Sequence, residues 1–420
     1  MRYFQMAGDH ALRAFANSEA IASFRRALEI ATQESLRMPE MVLDALVLRG
    51  RLAEILWRTG QRAGCRDLLR DAIDAAGTAG AHQRVRLALL LAQMEIDEAH
   101  YDDAAAAYDK AEKLLGARPL DEGEETTDLW LEIMLAGRAQ LYMWLREPEL
   151  AGAVLSAARP VLEPNGPASQ RHIFYRYLAW QQALERQFRI DDQVIETARL
   201  AVAAAKEAGE DADIYREKGP ATAWEAFFLG CYLALQCNLD EAEEQLVGSL
   251  SVAERSGDLI LRAICLSGLT AVAVRRHDSE AVRSLAPRAE AAGEVVGAAE
   301  EVGQAKACLA WLAWQDGRPE DVVVLANEAG ELFRPHHAPG TKCCKWLFIW
   351  PLVAVRLQEG MVAQAVTAAR ELLEPFQQRF PDELQSTIES ACVSWDRGEA
   401  DVAGGSLARA LEMAHELRFF

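Results

Sequence analysis

The sequence of 420 residues has no apolar run long enough to cross a bilayer. The longest, Trp346 to Val355, is closed by Arg356, whereas a spanning helix needs ~20 residues. No secretory leader is expected in the stretch after Met1 and Arg2, because Asp9 and Arg13 interrupt any apolar core there. A cytoplasmic chain is expected. There are eight cysteines and no CxxC pair, which argues against a disulfide framework or a zinc ribbon and suits reduced, buried thiols. Positive charge is in deficit: 64 Asp and Glu stand against 44 Lys and Arg, a net charge of −20, and no basic stripe offsets it. Nucleic acid is therefore not an expected partner. Arg2, Arg86, Arg176 and Arg275 lie too far apart to track phosphates and read as a solvated face. No Gly-Lys dipeptide occurs anywhere, so a P-loop cannot be built. The eight histidines have no Ser or Cys partner at a triad-like spacing. Neither a catalytic residue nor a cofactor is expected.

What is present is Ala, Leu, Arg and Glu, all strong helix formers, without the alternation of β-branched residues that strands need. Helices of about 12 to 20 residues are expected, broken by short turns such as Arg58 to Gln61, Gln315 to Arg318 and Gln358 to Gly360. A fixed pattern underlies them. Phe4, Ala7, Gly8 and Ala11 on one helix precede Ala20, Phe24 and Ala27 on the next, which fits the tetratricopeptide template. Moved along the chain, position 20 falls on Ala20, Cys65, Ala104, Ala151, Val194, Ala242, Val282, Val322, Ala365 and Ala403. Position 27 falls on Ala27, Ala72, Ala111, Ala158, Ala201, Ser249, Ala289, Ala329, Leu372 and Ala410. Small side chains recur there because packed helices approach to ~8–10 Å only where the crossing residues are small. Ala20, Ala27, Ala104, Ala111, Ala242, Ala329, Ala365 and Ala410 are the expected packing positions.

The fold class that follows is all-α: a right-handed solenoid of about ten elongated, tetratricopeptide-like (TPR-like) hairpins, each burying its apolar face against its neighbours. Residues 1–420 read as a single superhelical domain. Gly116 to Glu125, Pro160 to Ala168, Glu210 to Pro220 and Arg334 to Thr341 read as loops between hairpins, with 210–220 the one place for a weak division.

Four segments, Met6 to Ile21, Ala253 to Asp258, Ala310 to Trp314 and Trp346 to Leu352, resemble the C-terminal helical-repeat region of large bacterial regulators. In those regulators a signal-transduction ATPase of the maltose-regulator (STAND) type precedes the repeats, and some carry a class III adenylate cyclase domain. The resemblance covers nearly the whole chain and consists of repeats and short phrases. It implies a sensor, autoinhibitory or partner-binding arm without catalysis of its own. Residue 1 already lies inside the first helix with no N-cap before it, so a region cut from a longer regulator is expected.

On hairpins of this type positions 2, 5, 9 and 12 of the first helix line the concave surface. Trp224 and Phe227 take positions 2 and 5 of repeat six, Trp311 and Trp314 positions 9 and 12 of repeat eight, and Trp350 position 5 of repeat nine. These five aromatics form a candidate groove for a protein or peptide partner or for a small effector. The same spacing also suits rings buried between hairpins, and both readings stay open. The Lys and Asn clamp that grips a terminal carboxylate is missing: its positions hold Gln5 and Asp9, Gly50 and Glu54, and Leu89 and Gln93. His336, His337, Cys343 and Cys344 are the one His and Cys cluster, but adjacent ligands point apart on a helix, so no metal is expected. Asp102-Asp103 and Asp191-Asp192 fall in turns between helices and read as structural acids.

Overall fold

A computed structural model describes residues 1–13, 17–35, 38, 41–58, 62–74, 80–98, 100–116, 124–163, 166–209, 221–333 and 343–420. Within these the chain is helical and has no strand. It falls into two compact units, Met1–Leu145 with Ala153–Val161, and Arg146–Gly152 with Leu162–Phe420. The connector 210–220 and residues 334–342, His336 and His337 among them, lie outside the described residues.

The first unit contains α1 (Arg2–Arg13), α2 (Asn17–Ser35), α3 (Met41–Arg58), α4 (Arg62–Ile73), α5 (Ala81–Asp97) and α6 (Tyr101–Leu115). A composite rod follows, made of α7 (Glu124–Glu132), a π-helical stretch (Ile133–Ala139) and α8 (Gln140–Trp144). The next helix, α9 (Pro148–Leu162), is divided between the units. The second unit continues with α10 (Ala168–Glu185), α11 (Asp192–Ala208), α12 (Ala221–Gln236), α13 (Leu239–Ser256), α14 (Leu259–Arg275) and α15 (Ser279–Val296). It ends with α16 (Ala299–Gln315), α17 (Pro319–Phe333), α18 (Trp346–Gln358), α19 (Val362–Glu371), α20 (Asp382–Asp396) and α21 (Ala400–Glu416).

Consecutive helices pack as hairpins, three in the first unit (α1–α2, α3–α4, α5–α6) and six in the second (α10–α11 through α20–α21). Within a unit the second helix of each hairpin also touches the first helix of the next. From α10 to α18 the first helices touch one another in a row. This is the expected hairpin-on-hairpin arrangement. It is built at the small residues: all twenty position-20 and position-27 side chains are at most 3% exposed, and all eight alanines singled out above are at 0%.

The turns inside the hairpins share one device. The last turn of the first helix closes with an amide reaching back five residues, as in Arg318 N to Ala313 O at 2.9 Å and Met361 N to Arg356 O at 2.8 Å. The residue just before that amide is left-handed, and glycine supplies it at Gly317 (φ 70°) and Gly360 (φ 73°). Three hairpins use a non-glycine residue there, Gln187 (φ 50°), Cys237 (φ 72°) and His277 (φ 58°), at a cost of about 1–2 kcal/mol each. Aspartates cap the helices that follow: Asp191 accepts from Val194 N at 3.1 Å, and Asp278 from Ala281 N at 3.0 Å. No helix among the described residues is long and apolar enough to cross a membrane.

The crossing constraint has a direct consequence. Ala242→Asp and Ala329→Asp should each destabilise the chain by about 3 kcal/mol or more, because each buries a carboxylate with no partner at a helix contact. Thermal unfolding of the two variants reads this, and an unchanged midpoint in both would contradict the packing register.

Candidate functional site

An amphipathic surface helix keeps one polar face. The second helices of the large unit do so, but its first helices from α10 to α18 do not. In α18, Trp346, Leu347, Phe348, Ile349, Trp350, Val353, Ala354 and Val355 are all buried, and between Leu261 and Arg275 no residue of α14 is exposed. The inner row therefore needs a cover on its second side. Two later segments of the chain supply it.

The first is the strap between α19 and α20, residues 372–381. Its backbone bonds distant hairpins: Gln378 N donates to Cys343 O at 2.9 Å, and Arg379 N to Gln187 O at 2.8 Å. Gln378 Nε2 donates to Leu235 O at 3.0 Å, and Gln377 Oε1 accepts from Lys345 N at 2.9 Å. The Arg146 guanidinium lies 4.1 Å over the Phe376 ring. The second segment is Phe419–Phe420. After left-handed Arg418 (φ 61°) the chain turns back, placing Phe419 5.4 Å from Trp346 and 4.9 Å from Phe380, and Phe420 5.7 Å from Trp314.

The five aromatics singled out above divide between two clusters. Trp311, Trp314 and Trp350 belong with the strap and tail. Trp224 and Phe227, an edge-on pair at 6.5 Å, belong to the packing of α10 to α14. Trp311 and Trp350 are 1% and 0% exposed, Phe227 is buried, and Trp224 and Trp314 are half-buried. The wall is aromatic, and the chain itself fills it. The rings offer too much apolar area to leave wet when a strap and a tail can reach them.

Two arginines read as solvated are corrected here. Arg176 is largely buried, and Arg275 is 2% exposed. Arg2 and Arg86 are exposed. Arg176 is charge-balanced: with His172 it grips the buried Glu225 carboxylate, through Arg176 Nε at 2.9 Å and His172 Nδ1 at 2.7 Å. Burial alone would push Glu225 up, but Arg176 and His172 together hold it below the usual carboxylate range.

Arg275 has no such counterpart. One terminal nitrogen donates to Ala234 O (2.7 Å) and Leu235 O (3.2 Å) at the C-terminal end of α12, and the other to Gln378 Oε1 (3.4 Å). The guanidinium lies against two rings, Trp346 at 4.9 Å and Phe419 at 4.5 Å, which meet each other edge-on at 5.4 Å. Burial pushes its pKa down to about 10, opposed by the sulfurs of Cys237, Cys343 and Cys344, so it stays a cation at neutral pH. Among the described residues no carboxylate pairs with it, and its Nε has no acceptor. The indole nitrogens of Trp311, Trp346 and Trp350 also lack acceptors. The site is thus a closed, aromatic, donor-rich interior around one cation. Sequence reasoning missed Arg275 as a site residue, although its place at the end of the wholly apolar run Ala271 to Val274 was a signal.

Glu95, Glu98 and His100 in the first unit bring donor atoms within 4.8 Å of one another. Arg66 pairs with both glutamates, and His100 Nδ1 lies 3.0 Å from Glu95. Burial raises the Glu95 pKa, but the bonds from Arg66 and His100 outweigh it and leave it low. The cluster is an ion-pair knot in which arginine already supplies the positive charge.

No family model matches the sequence, and no curated protein matches it. Among solved structures, BtubC from P. vanneervenii is similar over 58% of this chain and 92% of its own, at 18% identity and a TM-score of 0.47. The apo form of RapI is similar over 79% of this chain and 98% of its own, at 10% identity and 0.47. The TPR domain of P58(IPK) covers 98% of both chains at 12% identity and 0.28. With scores this low, the assignment of the fold rests on the hairpin packing itself.

The tail contact is sensitive to protons. His277 lies 4.7 Å from His415 and 6.3 Å from Trp311, and its pKa is lowered from the usual 6.5 by burial, His415 and Arg418. The unfolded chain therefore binds the extra proton more readily, so this group's contribution is full at higher pH and is lost as pH falls below about 6.5. The midpoint of unfolding should drop between pH 7.5 and 5.5 by less in His277→Gln than in the parent. Equal drops would contradict the assignment.

Proposed function

We propose that this chain is a non-catalytic, TPR-like scaffold or sensor arm. Its inner aromatic wall, in the large unit, binds a protein or peptide partner. Through that contact it regulates a signalling ATPase, attached or in trans, as the resemblance to STAND-type regulators implies. The observation that carries the reading is the wall itself: Trp311, Trp314, Trp346 and Trp350 gathered on adjacent helices, against which the chain's own Phe419–Phe420 already packs. A surface that takes two phenylalanine side chains in this way has the chemistry to take those of another polypeptide. Binding that favours one arrangement of the hairpins can be passed to a neighbouring domain as differential affinity.

A second reading, a small-molecule effector site, is favoured by one specific observation. Buried N–H groups of Arg275, Trp311, Trp346 and Trp350 lack acceptors, and a compact ligand bearing acceptor atoms would satisfy them.

The two readings separate by photo-crosslinking in the native host. Benzoylphenylalanine at half-buried Trp314 on the wall should yield a protein adduct, whereas at Val247, 50% exposed on the outward face of α13, it should not. An adduct at Val247 alone would contradict the partner reading. Absence of any protein adduct at Trp314, with a small molecule retained by the chain in native mass spectrometry, would favour the effector.

A further inference from the structure

The two buried arginines of the large unit are treated differently. Arg176 has the Glu225 carboxylate, but Arg275 has carbonyl, amide and Cys237 sulfur acceptors and, among the described residues, no carboxylate. The carbonyls at the end of α12 offer the partial negative pole of that helix, which is less than a full counter-charge. Its Nε lacks an acceptor although the side chain is almost wholly buried. A charge compensated only in part is expensive in a low-dielectric interior. Phe419 gives the guanidinium a ring face at 4.5 Å but no anion. Apart from its ring contacts, the segment that delivers it is held by Phe419 N to Ala414 O at 2.8 Å and a His415 Nδ1 contact to Phe420 O at 3.1 Å. It leaves its helix through left-handed Arg418, a strained conformation for that residue.

We propose that Phe419–Phe420 is a resident plug in a binding site centred on Arg275. The partner segment that replaces it carries an aromatic residue next to a carboxylate. The ring takes the place of Phe419 against Arg275 and Trp346, and the carboxylate accepts from Nε, the bond the plug does not make. A charge-assisted bond of this type is about twice as strong as a neutral one. The replacement therefore gains exactly what the closed state lacks. The other occupants, a neutral aromatic peptide or a free small anion, are separated by the test. This inference rests on the partner-binding reading above and makes it specific.

The probes are N-acetyl-Asp-Phe-Phe-amide and its Asn counterpart, which differ only in the carboxylate, with acetate as the free-anion control. Phe419→Ala combined with Phe420→Ala opens the site. Arg418→Pro opens it independently, because proline cannot adopt the left-handed turn and no buried ring is removed. In either opened variant the Asp peptide should bind at least tenfold more tightly than the Asn peptide, and at least tenfold more tightly than it binds the intact chain. Adding Arg275→Met should abolish the Asp preference while the Asn peptide still binds. Acetate should not compete at comparable concentration.

Equal binding of the two peptides would overturn the proposal, as would an unchanged preference after Arg275→Met, equal affinity of the intact and opened chains, or full competition by acetate. Loss of helical circular dichroism in both opened variants would also overturn it, since Phe419–Phe420 would then belong to the cooperative core. A protein adduct at Trp314 without any Asp preference would remove this inference and leave the partner-binding reading in place.

Discussion

From α10 to α18 the inner helices of the large unit have almost no face open to water, and their apolar surface has to be covered. Everything particular about the unit follows from this requirement. The outer side of the row is met by the second helices, which lean at small residues such as Ala242, Ala289 and Ala329. The inner side has no repeat partner. It is closed by the strap, which joins Gln378 to Cys343 and Arg379 to Gln187, and by Phe419 and Phe420. A repeat array that depends only on neighbour contacts thus acquires contacts between residues nearly two hundred positions apart.

Charge has been placed in that interior unevenly. At Glu225 the burial penalty is met by hydrogen bonds from His172 and Arg176, the latter an ion pair. Around Arg275 the same penalty is met by carbonyls, an amide, cysteine sulfurs and ring faces, without a carboxylate among the described residues. Two left-handed non-glycine residues flank this region. Cys237 lies beside Arg275, and His277 faces Trp311 and His415. Glycine occupies the equivalent turn at Gly317 and Gly360 without strain. The side chains of Cys237 and His277 are kept where the backbone would prefer none, and that strain marks the same interior as the unpaired cation does.

Different parts of this structure were legible in the sequence to different degrees, for physical reasons. The crossing alanines could be read because helix approach imposes a local, periodic demand for small residues, so Ala20 through Ala410 announce themselves by spacing alone. Trp311, Trp314 and Trp350 could likewise be placed on inner helices from helical period. What covers them could not, because the strap bonds backbone amides to carbonyls, and such bonds leave no trace in residue identity. Arg275 was misread as solvated for a related reason. A single charge at a helix end normally reaches water, and only the packing of Trp346 and Phe419 over it removes that route. Of the His and Cys cluster, His336 and His337 fall outside the described residues, whereas Cys343 is buried and Cys344 half-buried.

The central claim is that the strap lies against the inner row as part of the folded unit. Amide hydrogen exchange resolved at single residues tests it most directly. Gln378 and Arg379 sit in a segment without helix, yet their amides are bonded to Cys343 O and Gln187 O. They should be protected to a degree comparable with the amides of α14 and α16. Exchange of both at the rate of an open chain, while α14 and α16 remain protected, would contradict the account.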